Sequence, residues 1–402
     1  MKKHRALTIW EAIEVVCDHS PLMEEITVPI MDSLGYILAE DVSTRIAQPP
    51  FPRSAMDGYA IRSGDSAGAT SQSPCTLKVV GIQFAGDPYF RELKKGEALR
   101  IMTGAAIPEG ADAVIKQEDT DYGEDMVEIY RQMSPLENYC QIGEDFPAGE
   151  ILAVKGDYID AFLISAAAAG GIESFRVRRR PRVAILTTGD EIQDTGTGLI
   201  DGKIYDAHIP LFSSRLKQLG CQVSLAVHLG DNRESIKDAM KEALSSSDVV
   251  ITTGGVSVGL KDCIPSVMDD LRAEVVFHGI AIKPGMPTMF SMFEGRPVLS
   301  LSGNPYSASA VFELLMQPMI SRMTASNKRM LRKVRGRSEN VFPKNKGNTR
   351  FLRGYYEDGC LSFGSGQRNG QTKAGIGCNC LICLEKGSGP VDIGDMLTAY
   401  LI

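Results

Sequence analysis

The sequence has no long hydrophobic run: its longest apolar stretch, residues 161–172, carries Ser165 and falls short of the about 20 residues a membrane span needs. The opening MKKHRALTIW lacks the apolar core of a secretory leader. A basic excess is missing too, since 43 basic against 50 acidic side chains leave a net charge of -7, which disfavours a general nucleic-acid binder. Nine cysteines, odd in number and scattered from Cys17 to Cys383, are unlike the even framework of a small secreted domain, so reduced thiols in the cytoplasm are expected. The five histidines do not cluster. There is no Walker loop, no G-x-G-x-x-G and no Gly-x-Ser-x-Gly elbow, which sets aside P-loop ATPases and dinucleotide dehydrogenases.

What remains is a chain of ordinary globular make-up, 402 residues at 43% hydrophobic and 23% charged, long enough for two to four domains. Thr8 precedes apolar positions Ile9, Ala12, Ile13, Val16 and Cys17 at helical spacing, so a helix capped by Thr8 is expected. A second helix is expected around residues 30–39. Residues 48–139 change texture to short β-branched runs at 76–80, 113–116 and 126–130 among Gly, Pro and Asp, the pattern of a β-rich insert. A small-residue helix is expected over 160–171. The five arginines between Arg176 and Arg182 follow it and read as a solvated junction rather than a phosphate contact.

Beyond the junction, strands at 183–187, 222–227 and 249–252 alternate with helices at 210–219 and 233–244, which predicts a parallel sheet covered on both faces. Phe212, Leu216 and Leu219 form one packing stripe, and Ile236, Met240, Ala243 and Leu244 another. The apolar runs 275–277 and 297–301 and a helix over 306–320 complete this unit. From about Ala325, a basic stretch and short strands at 350–355 and 378–384 indicate a C-terminal β domain. Alternation places Cys383 opposite Cys378 and Cys380, so the group reads as buried strand cysteines rather than a metal site.

Ligands of an open parallel sheet bind beyond the C-terminal ends of its strands. Three such ends are unusual: Thr187-Thr188-Gly189-Asp190-Glu191, with adjacent carboxylates; Thr252-Thr253-Gly254-Gly255-Val256-Ser257, followed by Lys261 and Asp262; and Ser302-Gly303-Asn304-Pro305. A Gly-Gly pair lets backbone amides approach phosphate, a nearby aspartate suits a divalent cation, and Pro305 suits the first turn of a helix.

Seven motifs in order carry a resemblance over essentially the whole chain: Ser54 through Ala60, Thr103-Gly104-Ala105, Gly143-Glu144-Asp145, Thr188-Gly189-Asp190-Glu191, Gly254-Gly255-Val256-Ser257 with Asp262, Lys283-Pro284-Gly285-x-Pro287, and Gly303-Asn304-Pro305. The chain resembles the molybdenum insertases, also called molybdopterin molybdenumtransferases, to which the C-terminal domain of gephyrin belongs. The resemblance implies a multidomain α/β plus β fold. Its parts would be an elongated N-terminal domain (1–47 with 141–176), the β insert (48–140), a three-layer α/β catalytic domain (177–325) and a C-terminal β-barrel (326–402). It further implies a homodimer that inserts molybdate into molybdopterin-AMP and releases AMP with a divalent cation, usually Mg²⁺. An adenylyltransferase that charges molybdopterin is implied as a partner.

By the same resemblance the site lies between the α/β domain of one subunit and the insert of the other. Asp57, Glu191, Asp231 and Asp262 would be catalytic, with Glu191 and Asp262 holding metal. Thr103, Gly104, Thr188, Gly189, Asp190, Gly254, Gly255, Ser257, Lys283, Pro284, Ser302, Gly303, Asn304, Arg350 and Arg353 would bind substrate. Four departures stand out, several at positions that the resemblance associates with oxyanion capture, and they make a tungstate-preferring insertase an alternative. Asp206-Ala207-His208 stands where the family usually reads Asp-x-Asn, and Met286 replaces a frequent lysine. Cys140 lies in a segment that often carries arginine, and Asn369 replaces a usual serine. A non-catalytic scaffold of the same fold is the other alternative; the retained acids oppose it.

Overall fold

The structure is a computed structural model that describes residues 6–87, 91–257, 262–326, 331–343 and 347–402. The expected N-terminal helix is α1 (Ile9–Asp18), closed by a capping box in which the Thr8 hydroxyl accepts from Glu11 N–H and the Glu11 carboxylate accepts from Thr8 N–H. Its buried stripe, Ile9, Ala12 and Val16, packs in the core of the α/β unit, against α6 (Pro305–Thr324). The helix expected over 30–39 does not form: Ile30–Asp32 makes one 3₁₀ turn and Ile37–Leu38 is a strand. Gly35, at φ 83° in the left-handed region, interrupts the helical pattern there.

Early and late segments build one sheet, in which Ser174–Arg178 lies between Glu25–Pro29 and Ile37–Leu38. The helix α2 (Ala161–Ala169), capped by Asp160, covers it through Ala167. The insert is a five-stranded sheet in the order Ala113–Lys116, Gly58–Ile61, Glu97–Ile101, Cys75–Gln83, Met126–Ile129.

The α/β unit has three layers. Pleating sends Val183, Ile185, Val249 and Ile251 to a face covered by α1, α3 (His208–Gln218) and α6. Ala184, Leu186 and Val250 face α4 (Arg233–Ser246) and α5 (Ile264–Asp270). The sheet is mixed rather than wholly parallel. Gln222–Leu229, Arg182–Thr188, Val249–Thr253, Arg296–Leu301 and the edge strand Glu274–His278 run in one direction, but Met289–Phe293, between the last two, runs against them. Glu294 and Gly295, at φ 48° and 76°, form a two-residue hairpin turn that forces this reversal.

The C-terminal region is a closed five-strand barrel, Thr349–Glu357, Cys360–Ser362, Lys333–Ser338, Met396–Leu401 and Cys380–Leu384, the last pairing back to the first. Cys380 points into the barrel core and Cys383 into the α/β core. Burial pushes the Cys380 thiol up to about 12, with the neighbouring Cys378 adding to it, and burial raises Cys383 as well. No helix among the described residues is long and apolar enough to cross a membrane.

The arginine run is more than a solvated face, because four of its five side chains pair with carboxylates and the fifth, Arg180, donates to the Leu34 carbonyl and stacks on Tyr36. Arg179 clasps Asp248 through both Nη atoms at 2.9 Å and Glu24 through Nε at 2.6 Å, while Arg178 and Arg176 share Glu25. Burial would raise the Asp248 carboxyl, but Arg179 and the Arg182 N–H outweigh that and hold it below the usual range. Its contribution to stability is therefore full above the ordinary carboxylate range and is lost as pH falls through the depressed value. Asp248→Ala leaves Arg179 with Glu24 as its one remaining carboxylate and is expected to destabilise the fold by about 2 kcal/mol, read from the urea midpoint at neutral pH.

Candidate active site

Three adjacent parallel strands, Arg182–Thr188, Val249–Thr253 and Arg296–Leu301, end at one cleft of about 420 Å³. Glycine is what lets those ends crowd together. A Cβ on Gly254 would stand 2.4 Å from the Thr188 carbonyl oxygen, and one on Gly303 would stand 3.4 Å from Gly254 Cα. Gly254 and Gly255 also sit at φ 87° and 59°, where L side chains are strained. His278 fixes the following residue through Nε2 and the Val256 carbonyl at 3.0 Å.

The first strand end supplies Thr188, Gly189 and Glu191 to the cleft wall, the second Gly254, Gly255 and Ser257, and the third Ser302, Gly303 and Asn304. Asp231 and Asp262 join them from the turns that precede α4 and α5. The Glu191 carboxylate folds back over Gly189, where a Cβ would come within 2.7 Å of Oε2. Asp231 and Asp190 are tied reciprocally: Asp231 N–H donates to Asp190 Oδ1 at 3.0 Å, and Asp190 N–H to Asp231 Oδ2 at 3.4 Å. Asp190 thus orients Asp231 from outside the cleft lining. The Gly254 N–H is already given to the Leu301 carbonyl at 3.2 Å, so it is not part of the expected phosphate cradle. No hydrogen bond among the described residues occupies the amides of Gly255 and Ser257. Lys261 lies outside the described residues.

Other expected residues are placed elsewhere in the single chain. Asp57, exposed on the insert, accepts from Thr103 N–H and Oγ1–H, both at 2.7 Å, and these bonds hold its carboxyl below the usual range. The pairing ties two insert loops, and the glycine after it answers a different need: a Cβ on Gly58 would meet the Ile115 carbonyl oxygen at 1.8 Å. Gly104, at φ 82°, turns the second of these loops. Lys283 and Pro284 fall outside the cleft lining, and Lys283 pairs in register with Arg350 at the edge of the barrel. Arg353 lies 3.8 Å over the Tyr306 ring and donates to the carbonyls of Gln371 and Gly366, so it anchors a barrel loop to α6.

The similarities of the chain follow the same division. Residues 7–171 match the MoeA N-terminal region (domain I and II), and residues 184–322 match the probable molybdopterin binding domain. A molybdopterin molybdenumtransferase of Staphylococcus aureus (strain COL) is 34% identical over 392 residues, 96% of this chain and 94% of that protein. The chain belongs to the molybdopterin molybdenumtransferase family. The Staphylococcus epidermidis (strain ATCC 12228 / FDA PCI 1200) relative is 33% identical over 405 residues, 100% of this chain and 97% of that one. Among solved structures, a molybdopterin biosynthesis MoeA protein of Pyrococcus horikoshii superposes with a TM-score of 0.84 at 32% identity, over 99% of both chains. The chain is accordingly a transferase of molybdenum cofactor biosynthesis.

Against that family background the four exchanged positions acquire surroundings. Met286 is exposed, with its carbonyl accepting from Ile280 and Thr288 N–H. The Asn369 carbonyl accepts from Tyr306 N–H at the start of α6, at 2.9 Å. Cys140 pairs with Arg53 in a two-residue strand. His208 lines the cleft, as do Thr187, Asp206 and Thr253, which the motif reading did not number among the site residues. Their sequence signal is slight: Thr-Thr at the end of a buried strand, where an apolar pair would pack equally well.

Proposed function

We propose that this transferase inserts molybdate into adenylylated molybdopterin with release of AMP, in the cleft at the three strand ends. The observation that carries the reading is the sharing of one cleft by Glu191, Asp231 and Asp262 with the open amides of Gly255 and Ser257. An anionic pyrophosphate needs donors of that kind, and the acids can hold a cation and orient an attacking oxygen. Asp57 is ionised, exposed and outside the cleft of its own chain. A homodimer in which Asp57 enters the partner's cleft completes the set of acids.

The donors fit Mg²⁺ in chemistry, being hard carboxylate oxygens. Among the described residues no group of three or more ligating side chains forms a closed site. Glu191 and Asp262 would therefore hold a cation that takes its other ligands from phosphate oxygens and water, the habit of Mg²⁺. When bound, it neutralises charge on the pyrophosphate. The chain's own residues do the rest: Gly255 and Ser257 bind phosphate oxygens, Asp190 orients Asp231, and the glycine contacts keep the strand ends close. Lys283 with Arg350, and Thr103 across the dimer, extend the binding surface. The four-domain division, with boundaries near 47, 140, 176 and 325, a cytoplasmic location and supply by a molybdopterin adenylyltransferase belong to the same reading.

Purified protein given molybdopterin-AMP, Mg²⁺ and molybdate is expected to release AMP in step with molybdenum bound to the pterin. A tungstate arm tests oxyanion preference, to which Met286, His208 and Asn369 are relevant. Absence of AMP release with either oxyanion overturns the proposed reaction.

A further inference from the structure

His208 opens α3 at the wall of the cleft, and its environment defines a hydrogen-bond donor that has no acceptor among the described residues. The residue is 8% exposed. Its backbone N–H and that of Ile209 both donate to Asp206 Oδ1, at 2.7 and 3.1 Å, while Thr187 Oγ1–H donates to Asp206 Oδ2 at 2.6 Å. The carboxylate is thereby occupied on both oxygens and does not pair with the imidazole. Phe212, with its ring centroid at 5.6 Å, packs on the imidazole from the next turn of α3.

The tautomer follows from the partner of the other ring nitrogen. His208 Nδ1 lies 2.8 Å from Thr253 Oγ1, and that buried hydroxyl has no other partner among the described residues. If Nδ1 carried the proton, the hydroxyl hydrogen would be buried without an acceptor, at a cost of about 1–3 kcal/mol. Thr253 Oγ1–H therefore donates to Nδ1, and the proton of the neutral ring sits on Nε2. Burial lowers the imidazole below the ordinary histidine range, with the Asp206 charge opposing, which agrees with a neutral ring. His208 Nε2 is itself buried with no partner among the described residues. A dry N–H donor at the wall of a ligand cleft calls for an acceptor on the ligand.

Resting on the function proposed above, we propose that His208 is a substrate-recognition residue whose Nε2–H donates to an acceptor oxygen of the bound molybdopterin nucleotide. Two parts of that ligand present such an oxygen, the phosphates and the carbonyl of the pterin ring. His208 stands beside Gly254 and Gly255 through Thr253, so a single donor there adds direction to the cleft's binding of an otherwise acid-repelled anion.

The test uses full-length protein labelled with ¹⁵N at its five histidines, His208→Phe identifying the resonance. The expected spectrum shows His208 as the Nε2–H tautomer. Its Nε2 signal is expected to shift with ADP if the acceptor is a phosphate oxygen, or with 6-hydroxymethylpterin if it is the pterin carbonyl. Calorimetry is expected to show about tenfold weaker binding of the same probe by His208→Phe, the loss of one hydrogen bond to a strong acceptor, with partial recovery in His208→Gln. An Nδ1–H tautomer, or a resonance that neither probe moves, overturns the proposal without any variant having to fold. A shift with either probe in a protein that releases no AMP from molybdopterin-AMP leaves the donor assignment standing and overturns the function proposed above.

Discussion

Asp57→Ala and Asp262→Ala chains, each inactive when expressed alone, are expected to regain about a quarter of wild-type AMP release when co-expressed in equal amounts. In the proposed dimer each substitution removes a charged group from one composite site, but from opposite faces of it. Asp262 lines the strand-end cleft, whereas Asp57 stands on the insert, bound to Thr103. Loss of a carboxylate that would hold the cation or orient the attacking oxygen is expected to lower turnover by on the order of 100-fold or more. In a mixed dimer one of the two sites recovers both acids and the other loses both, which sets the expected fraction. Tagged heterodimers purified by two affinity steps would show about half of wild-type activity. Mixed preparations no more active than their parents would place Asp57 and the cleft acids in separate sites, or both in a single subunit. Thermal unfolding of each variant accompanies the assay. Asp57 is exposed and Asp262 half-buried at the cleft, so the expected change in midpoint is small in both cases.

Gly254→Ala is expected to remove activity to a similar degree by a purely steric route. The new Cβ would stand 2.4 Å from the Thr188 carbonyl oxygen and 2.8 Å from Thr188 Oγ1, and the backbone would be held at φ 87° against its preference. Both obstacles are backbone or short, stiff groups, so relief requires the second strand end to move away from the first. That displacement would open the gap between Gly255 and Glu191 and shift Gly303, which rests on Gly254. A misplacement of about 1 Å at reacting groups costs on the order of 100-fold in rate. The expected result is such a loss in kcat/KM for molybdopterin-AMP, with the thermal unfolding midpoint little changed. Gly295→Ala, a left-handed glycine with open space around it, reports the cost of the backbone strain alone and is expected to leave turnover within about twofold. Equal losses in the two variants would assign the effect of Gly254→Ala to strain and remove the steric account.

Local patterns carried much of the architecture. The Thr8 cap, the α4 stripe and the three strand ends are nearest-neighbour matters of periodicity and punctuation, and each was legible. The apolar spacing of residues 30–39 suits a helix, whereas Gly35 and the pairing of Ile37–Leu38 with Ser174–Arg178 select an extended path. The antiparallel edge of the main sheet depended on a two-residue turn at Glu294-Gly295, a weak signal inside an apolar stretch. A run of arginines has the pattern of a solvated face, and nothing nearby in sequence marks its carboxylate partners Glu24, Glu25 and Asp248, which lie far along the chain.

For the site, the sequence by itself determined the chemistry on offer: acids and glycines at the ends of buried strands, in an order that marks the family. Only the tertiary structure decided which of them meet. It brought Glu191, Asp231 and Asp262 to one cleft, left Asp57 and Arg353 outside it, and committed the Gly254 amide to Leu301. It also turned His208 from an exchanged letter into a buried donor beside Thr253. The physical reason is that hydrogen-bond availability and burial are properties of pairs distant in sequence. Whether an amide or an imidazole is free for a ligand depends on what the fold has already set against it.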